Sequence, residues 1–176
     1  LGLKTIGIAG SDEKCALALE KFGVDHCLNH NLYDTAEALQ SALKTVAPDG
    51  VDIYFENVGG KLFEAVIPEM NEFGRMIVCG MVSWYNEGAM GSDARTENMS
   101  VANLWRTILI KKLSVNGFII SDHWSNYLKF VSNVEPLVAS GDIQYIEDVV
   151  VGIENAPNAF IGLLQGHNFG KLVVEV

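Results

Sequence analysis

Apolar runs of strand length alternate with stretches of helical period along most of the chain. Thr5-Ile6-Gly7-Ile8-Ala9-Gly10 reads as a buried strand. Ser11 follows as an N-cap, with Asp12 and Glu13 where a helix dipole favours acids. Cys15, Ala18, Leu19 and Phe22 make the apolar stripe of that helix, and Gly23 ends it. Residues 24–28 form a second short strand. Asp34-x-x-Glu37 resembles a capping box opening a helix with Leu39, Leu43 and Val46 on one face. The turn Pro48-Asp49-Gly50 leads into a third strand, Val51 to Phe55. Phe63, Val66, Ile67 and Met70 then recur at helical spacing, with Pro68 predicting a kink or an early stop.

Arg75 to Gly80 reads as a fourth strand and Leu113 to Ile120 as a fifth. The polar stretch Ser83 to Ser100 between them is too long for a routine connection and fits a functional lid or a disordered loop. Residues 127–140 are helical in pattern and stop at Gly141. The tail changes character: a strand over 145–151, a short helix opened by Asn155-Ala156-Pro157, and a closing strand over 170–176. Strand–helix alternation of this kind predicts an α/β fold, a parallel sheet covered on both faces. The change of pattern places a boundary near residue 142, with 1–142 as one domain and 143–176 as a segment of another.

Composition narrows the partners. The net charge of −10 argues against nucleic acid, which asks for a basic footprint. No apolar run approaches the length of a membrane span, so no membrane partner is expected. The three cysteines, Cys15, Cys27 and Cys79, stand far apart. They form neither a disulfide framework nor a zinc cluster; they suit a reducing cytoplasm, as small buried hydrophobes. The chain starts at Leu1 without the layout of a signal peptide, and reads as the later part of something longer.

In a doubly wound sheet, ligands lie beyond the carboxyl ends of the strands. The residues there are Gly10-Ser11, Asn29-His30, Asn57 to Gly60, Cys79-Gly80-Met81 and Phe118-Ile119-Ile120. An acid at the end of the second Rossmann strand would bind the 2′-hydroxyl of NAD. Gly10-Ser11 stands there instead, with Lys14 one turn on, and a hydroxyl and an ammonium at a helix N-terminus suit a 2′-phosphate. An ordinary N-cap beside a solvated lysine explains the same residues. The Gly-x-Gly-x-x-Gly turn is absent, as expected of a Rossmann domain lacking its first strand and glycine-rich turn.

Three segments carry a resemblance: Gly10-Ser11-Asp12-Glu13-Lys14, Phe55-Glu56-Asn57-Val58-Gly59-Gly60, and Phe73 to Ser83 followed by Tyr85-Asn86. With the tail Ile153 to Phe160 and Gly166-His167-Asn168-Phe169-Gly170-Lys171, they resemble the zinc-independent double-bond reductases of the medium-chain dehydrogenase/reductase superfamily. These are the prostaglandin reductase, alkenal reductase and curcumin reductase type. The likeness keeps its order over nearly the whole chain.

The resemblance implies an NADP(H)-dependent oxidoreductase that reduces the carbon–carbon double bond of enones or enals, without a metal. It implies that Ser11 and Lys14 hold the 2′-phosphate and that His30 lies against the adenosine half. Asn57, Cys79, Gly80, Phe118, Ile119 and Ile120 would line the nicotinamide and its ribose, and Asn168 would reach the cofactor from the tail. Tyr85 matches the family tyrosine beside the nicotinamide, a candidate donor to the developing enolate oxygen; as a bare sequence feature it fits an aromatic loop anchor equally well. Residues 143–176 would return to the catalytic domain, and the intact enzyme would be a cytoplasmic homodimer joined at the edge strand 113–120. The chain alone is expected to fold in part and to reduce no enone. Other readings are a quinone reductase or a zinc alcohol dehydrogenase of the same superfamily, a Rossmann methyltransferase, which Gly10-Ser11 disfavours, and a binding module without catalysis.

Overall fold

The computed structural model describes residues 2–84 and 101–176. By contacts the chain divides into two units, Leu28–Ser125 and the pair of segments Leu1–Cys27 with Asn126–Val176.

The unit Leu28–Ser125 is built on a three-stranded parallel sheet. Its strands are β3 (Val51–Glu56), β4 (Met70–Val78) and β5 (Ser114–Gly117), in that spatial order. Before them comes helix α2 (Ala36–Val46). The residue that caps it is Thr35, one beyond the expected Asp34; its hydroxyl accepts the Ala38 N–H at 3.2 Å. Both residue types cap well, and the one whose backbone is extended just before the first helical turn wins. Leu39 and Leu43, one turn apart, are 0% and 2% exposed, as the helical period predicts.

Helix α3 (Gly60–Val66) follows β3 and tightens into a 3₁₀ turn, Ile67–Glu69, with Pro68 at its start. Met70, expected on that helix, is instead the first residue of β4, which therefore begins five residues earlier than expected. Proline withdraws the N–H needed to continue the helix, so the apolar positions after it pass to the sheet. The extension is irregular. Val51 pairs with Met70 and Ile53 with Arg75, so four residues of β4, 71–74, bulge opposite Asp52. Within that bulge Phe73 takes a left-handed φ of 61°, unusual for an aromatic residue. The Lys112 ammonium lies 5.1 Å from its ring centroid.

Residues 101–111 form helix α4 (Val101–Lys111), an element the hydrophobic pattern did not announce. The strand expected over 113–120 covers only Ser114–Gly117, and a 3₁₀ turn begins at Ile120. One core cluster joins Ile67, Met70, Met76 and Leu113, with Val51, Tyr54, Phe63, Val78, Leu104 and Ile108 packed on it. Lys111 reinforces its edge, donating to the carbonyls of Pro68 and Met70 at 2.6 Å each.

The other unit holds β1 (Ile6–Ala9) and α1 (Asp12–Glu20). The Ser11 cap is as the sequence predicts, its Oγ accepting the Lys14 N–H at 3.2 Å. β1 pairs with β2 (His26–Asn29), which starts two residues later than the run of apolar residues implied. The same unit contains α5 (Tyr127–Ala139), β6 (Glu147–Val151), α6 (Ala156–Leu164) and β7 (Lys171–Glu175). β6 and β7 pair in parallel, Glu147 opposite Lys171 through Val151 opposite Glu175. Gly170 leads into β7 at a φ of 102°, and a Cβ there would sit 2.5 Å from the Ile146 carbonyl oxygen. Between α6 and the strand pair lies a hollow of about 380 Å³, lined among others by Asp148, Asn158, His167 and Asn168.

Candidate functional site

Parallel pairing without offset brings three expected positions into one row. Glu56 is opposite Val78, and Val78 opposite Gly117. Asn57, Cys79 and Phe118 are therefore the first residues beyond three adjacent strand ends. The row is stitched by the backbone: Cys79 and Gly80 donate to the Glu56 carbonyl at 2.8 and 3.1 Å, and Phe118 to the Val78 carbonyl at 3.4 Å.

The loops beyond are laced further. Val82 donates to the Asn57 carbonyl at 3.1 Å and Ser83 to the Val58 carbonyl at 2.9 Å. The Ser83 hydroxyl reaches the same Val58 oxygen at 2.5 Å. Gly80 faces Asn57 so closely that a Cβ would lie 3.2 Å from both its carbonyl and its side-chain oxygen. Ile119 and Ile120 are 65% and 69% exposed, and Phe118 meets His123 edge-on at 6.0 Å between centroids.

Glu56, to which the sequence assigns no task, is the buried acid of this rim, 4% exposed. Its carboxylate accepts the Tyr54 hydroxyl at 2.5 Å, the Val58 N–H at 2.5 Å and the Gly59 N–H at 2.9 Å. Burial, followed by the bond to Glu56, raises the Tyr54 phenol far above its ordinary value. The signal was available: strand alternation puts Tyr54 and Glu56 on one face, and the glycine pair after Glu56 supplies free amides.

His30 is half-buried, in a 3₁₀ turn after β2. The Lys61 ammonium donates to the His30 carbonyl at 2.9 Å and to the Tyr33 carbonyl at 2.6 Å. The His30 Nδ1 is buried without a hydrogen-bond partner. Desolvation first, and the Lys61 charge second, hold the imidazole pKa below its ordinary value.

Ser11, Lys14 and Asn168 belong to the other unit. Ser11 is occupied as a cap, and the Lys14 ammonium donates to the Gly166 carbonyl at 2.6 Å. That bond runs to the segment preceding Asn168, whose side-chain amide donates to the Gly170 carbonyl at 2.7 Å. Tyr85 lies outside the described residues. The cysteines are not uniformly interior: Cys15 is buried, Cys27 intermediate, and Cys79 exposed because it stands past the strand end in the rim. Among the described residues no three His, Cys, Asp or Glu side chains gather to hold a metal ion, and no helix is long and apolar enough to cross a membrane.

A parallel α/β protein with a polar loop rim at its strand ends is the class these features define, the arrangement in which such sheets bind ligands. The family model described as zinc-binding dehydrogenase matches residues 1–133, and the chain belongs to that family. It is 42% identical to the NADP(+)-dependent 2-alkenal reductase of Nicotiana tabacum, over 100% of this chain and 48% of that protein. It is likewise 42% identical to the NADPH-dependent curcumin reductase of Escherichia coli, over 99% of this chain and 49% of the relative. The crystal structure of CurA from Vibrio vulnificus in complex with NADPH superposes with a TM-score of 0.88 at 44% identity, covering 99% of this chain and 50% of that one. The parallel α/β architecture expected from the sequence is thus the fold of these relatives. The chain spans about half the length of the curated relatives it matches.

Proposed function

We propose that the chain is the nucleotide-binding part of an NADPH-dependent reductase acting on the carbon–carbon double bond of α,β-unsaturated ketones or aldehydes. The observation that carries this reading is the in-register rim Asn57, Cys79, Gly80 and Phe118, in a chain 42% identical to two reductases whose names specify NADP(H) and an alkenal or curcumin substrate, and 44% identical to a CurA solved with NADPH.

The residues fit such a cofactor. Gly80 lets the loop after β4 come so close to Asn57 that a Cβ would lie 3.2 Å from two of its oxygens. His30 carries a ring nitrogen without a protein partner. Ser11 and Lys14 offer the hydroxyl and ammonium that a phosphate dianion prefers over a bare ribose.

In this proposal Ser11 and Lys14 hold the 2′-phosphate, His30 lies against the adenosine half, and Asn168 contributes from the tail. Asn57, Cys79, Gly80 and Phe118 to Ile120 line the nicotinamide end. NADPH, when bound, supplies the hydride that saturates the double bond. The chain's own part is to fix a planar ring against the rim, to exclude water with Phe118, Ile119 and Ile120, and to hold the Tyr85 phenol as donor to the carbonyl oxygen. The proposal includes a domain division at residue 142, with 143–176 contributing to the catalytic domain, a zinc-free site, and a cytoplasmic homodimer.

The test is oxidation of NADPH and of NADH coupled to a small enone such as 3-nonen-2-one, in the full-length protein with and without Lys14→Ala. Losing a charge-assisted contact costs about 1.5–3 kcal/mol, so the NADPH constant rises roughly tenfold or more while the NADH constant stays nearly unchanged. Equal effects on both cofactors, or no enone-dependent oxidation at all, overturn the reading.

A further inference from the structure

Glu56 stands apart from every other acid of the described chain. Among the described residues it is the one buried charged side chain, and it lies next to Asn57. Its side chain and its backbone act on two different loops. The carboxylate holds the Val58 and Gly59 amides. The carbonyl of the same residue holds the Cys79 and Gly80 amides. A third contact, from the Tyr54 hydroxyl, fixes the carboxylate itself. Tyr54 packs on the core beneath the sheet, so the acid is anchored from the interior and reaches outward to the rim.

We infer that Glu56 is a positioning residue for the nicotinamide end of the site: it clamps the loop after β3 to the loop after β4 and so sets where Asn57, Cys79 and Gly80 face a bound cofactor. This rests on the NADPH reading above. The chemistry explains why an acid is used. Val58 and Gly59 lie just before and at the start of α3, where helix amides lack intrahelical partners. Gly59 has no side chain with which to cap the helix. A carboxylate accepts both amides and a hydroxyl together, with bonds stronger than a neutral acceptor gives. Gly80 then approaches Asn57 to a distance that leaves no slack for a Cβ. A small movement of either loop would therefore displace the Asn57 amide.

A positioning role and a merely structural one predict different binding. The adenosine end is assigned to residues on other elements, so loosening this rim weakens NADPH and spares a ligand that lacks the nicotinamide. The experiment compares the full-length protein with Glu56→Ala, Glu56→Gln and Tyr54→Phe. It measures affinity for NADPH and for adenosine 2′,5′-bisphosphate, together with amide hydrogen exchange at residues 57–59 and 79–80 without ligand.

For Glu56→Ala the expected result is NADPH weakened roughly tenfold or more, bisphosphate affinity held within about twofold, and faster exchange at both loops. Glu56→Gln keeps an acceptor for one amide and falls in between; Tyr54→Phe shows the same pattern at smaller size. Equal losses for both ligands, or unchanged exchange at residues 79–80, overturn the inference. Should Glu56→Ala fail to fold, the ratio of the two affinities in Glu56→Gln and Tyr54→Phe decides in the same way. If the unaltered protein binds neither ligand, the NADPH reading fails, and with it the proposed role. If it binds both and the ratio does not move, only the role of Glu56 fails.

Discussion

Two parallel strand associations in this chain are covered very differently. One face of β3 and β4 carries a core, with Ile67, Met70 and Met76 0%, 1% and 3% exposed, although all four residues of β5 are exposed. Around β6 and β7 not one described residue is buried: Val149 and Val151 are 50% and 68% exposed, and Phe160 on α6 57%. Valine recurs in both, in β3, β4 and β5 among aromatic and polar residues and in β6 and β7 as consecutive pairs or triples. Parallel strands read as apolar because both faces are normally covered, and a lone two-stranded pair has little stability of its own. Apolar sequence thus announces a strand, while burial depends on what the rest of the fold brings to its faces.

The largest test of that difference is truncation of matched side chains. Ile67→Ala should cost about 2–5 kcal/mol, the usual range for emptying a filled core site. Val151→Ala should cost roughly 0.5 kcal/mol or less, as expected of an exposed position. Urea denaturation of the 176-residue chain measures both. Comparable costs would mean that the β6–β7 face is covered in solution.

A second test turns to the backbone, where the exposed pair is tight. Ala at position 170 would take a left-handed conformation, at about 1–2 kcal/mol, and would press on the Ile146 carbonyl. Gly170→Ala should therefore destabilise β7 more than Val151→Ala does. Amide exchange at residues 171–175 reads this directly, and the reverse order would show that the entry to β7 can relax.

The smallest effect belongs to the covered unit and is carried by protons. The His30 pKa is lowered on folding, so the folded state prefers the neutral ring. Its contribution is present above the unfolded value of about 6.5 and is lost as pH falls through the folded value. Unfolding free energy measured from pH 7.5 to 5 should decline more in the unaltered chain than in His30→Gln. Parallel declines would remove the histidine from the account.

Particular residues show how far sequence reading reached. Leu39, Leu43 and the Ser11 cap were legible because their causes are local: helical spacing and one hydroxyl within reach of a free amide. The row Asn57, Cys79 and Phe118 was legible because a parallel sheet gathers its carboxyl ends whatever the details. Met70 was not, since its helical spacing from Phe63 continued through a proline that hands the chain to a strand. The bulge at 71–74 and the left-handed Phe73 depend on tertiary pairing and leave no short-range mark. Glu56 looked like one acid among 22 acidic residues. Its burial separates it from the other acids among the described residues.

The pairing of β3, β4 and β5, regular from Ile53 opposite Arg75 onward, also acts as a ruler. Strands in a sheet are spaced about 4.8 Å apart, so Asn57, Cys79 and Phe118 begin three loops spread over about 10 Å at a common height. Removing one residue from the regularly paired part of any of these strands would draw its loop back by about 3.3 Å and turn its side chains to the opposite face. Removing one beyond the first loop residue would do neither. Length changes just before a strand's end should therefore be ruinous, while those beyond the laced loop residues leave the strand ends where they are.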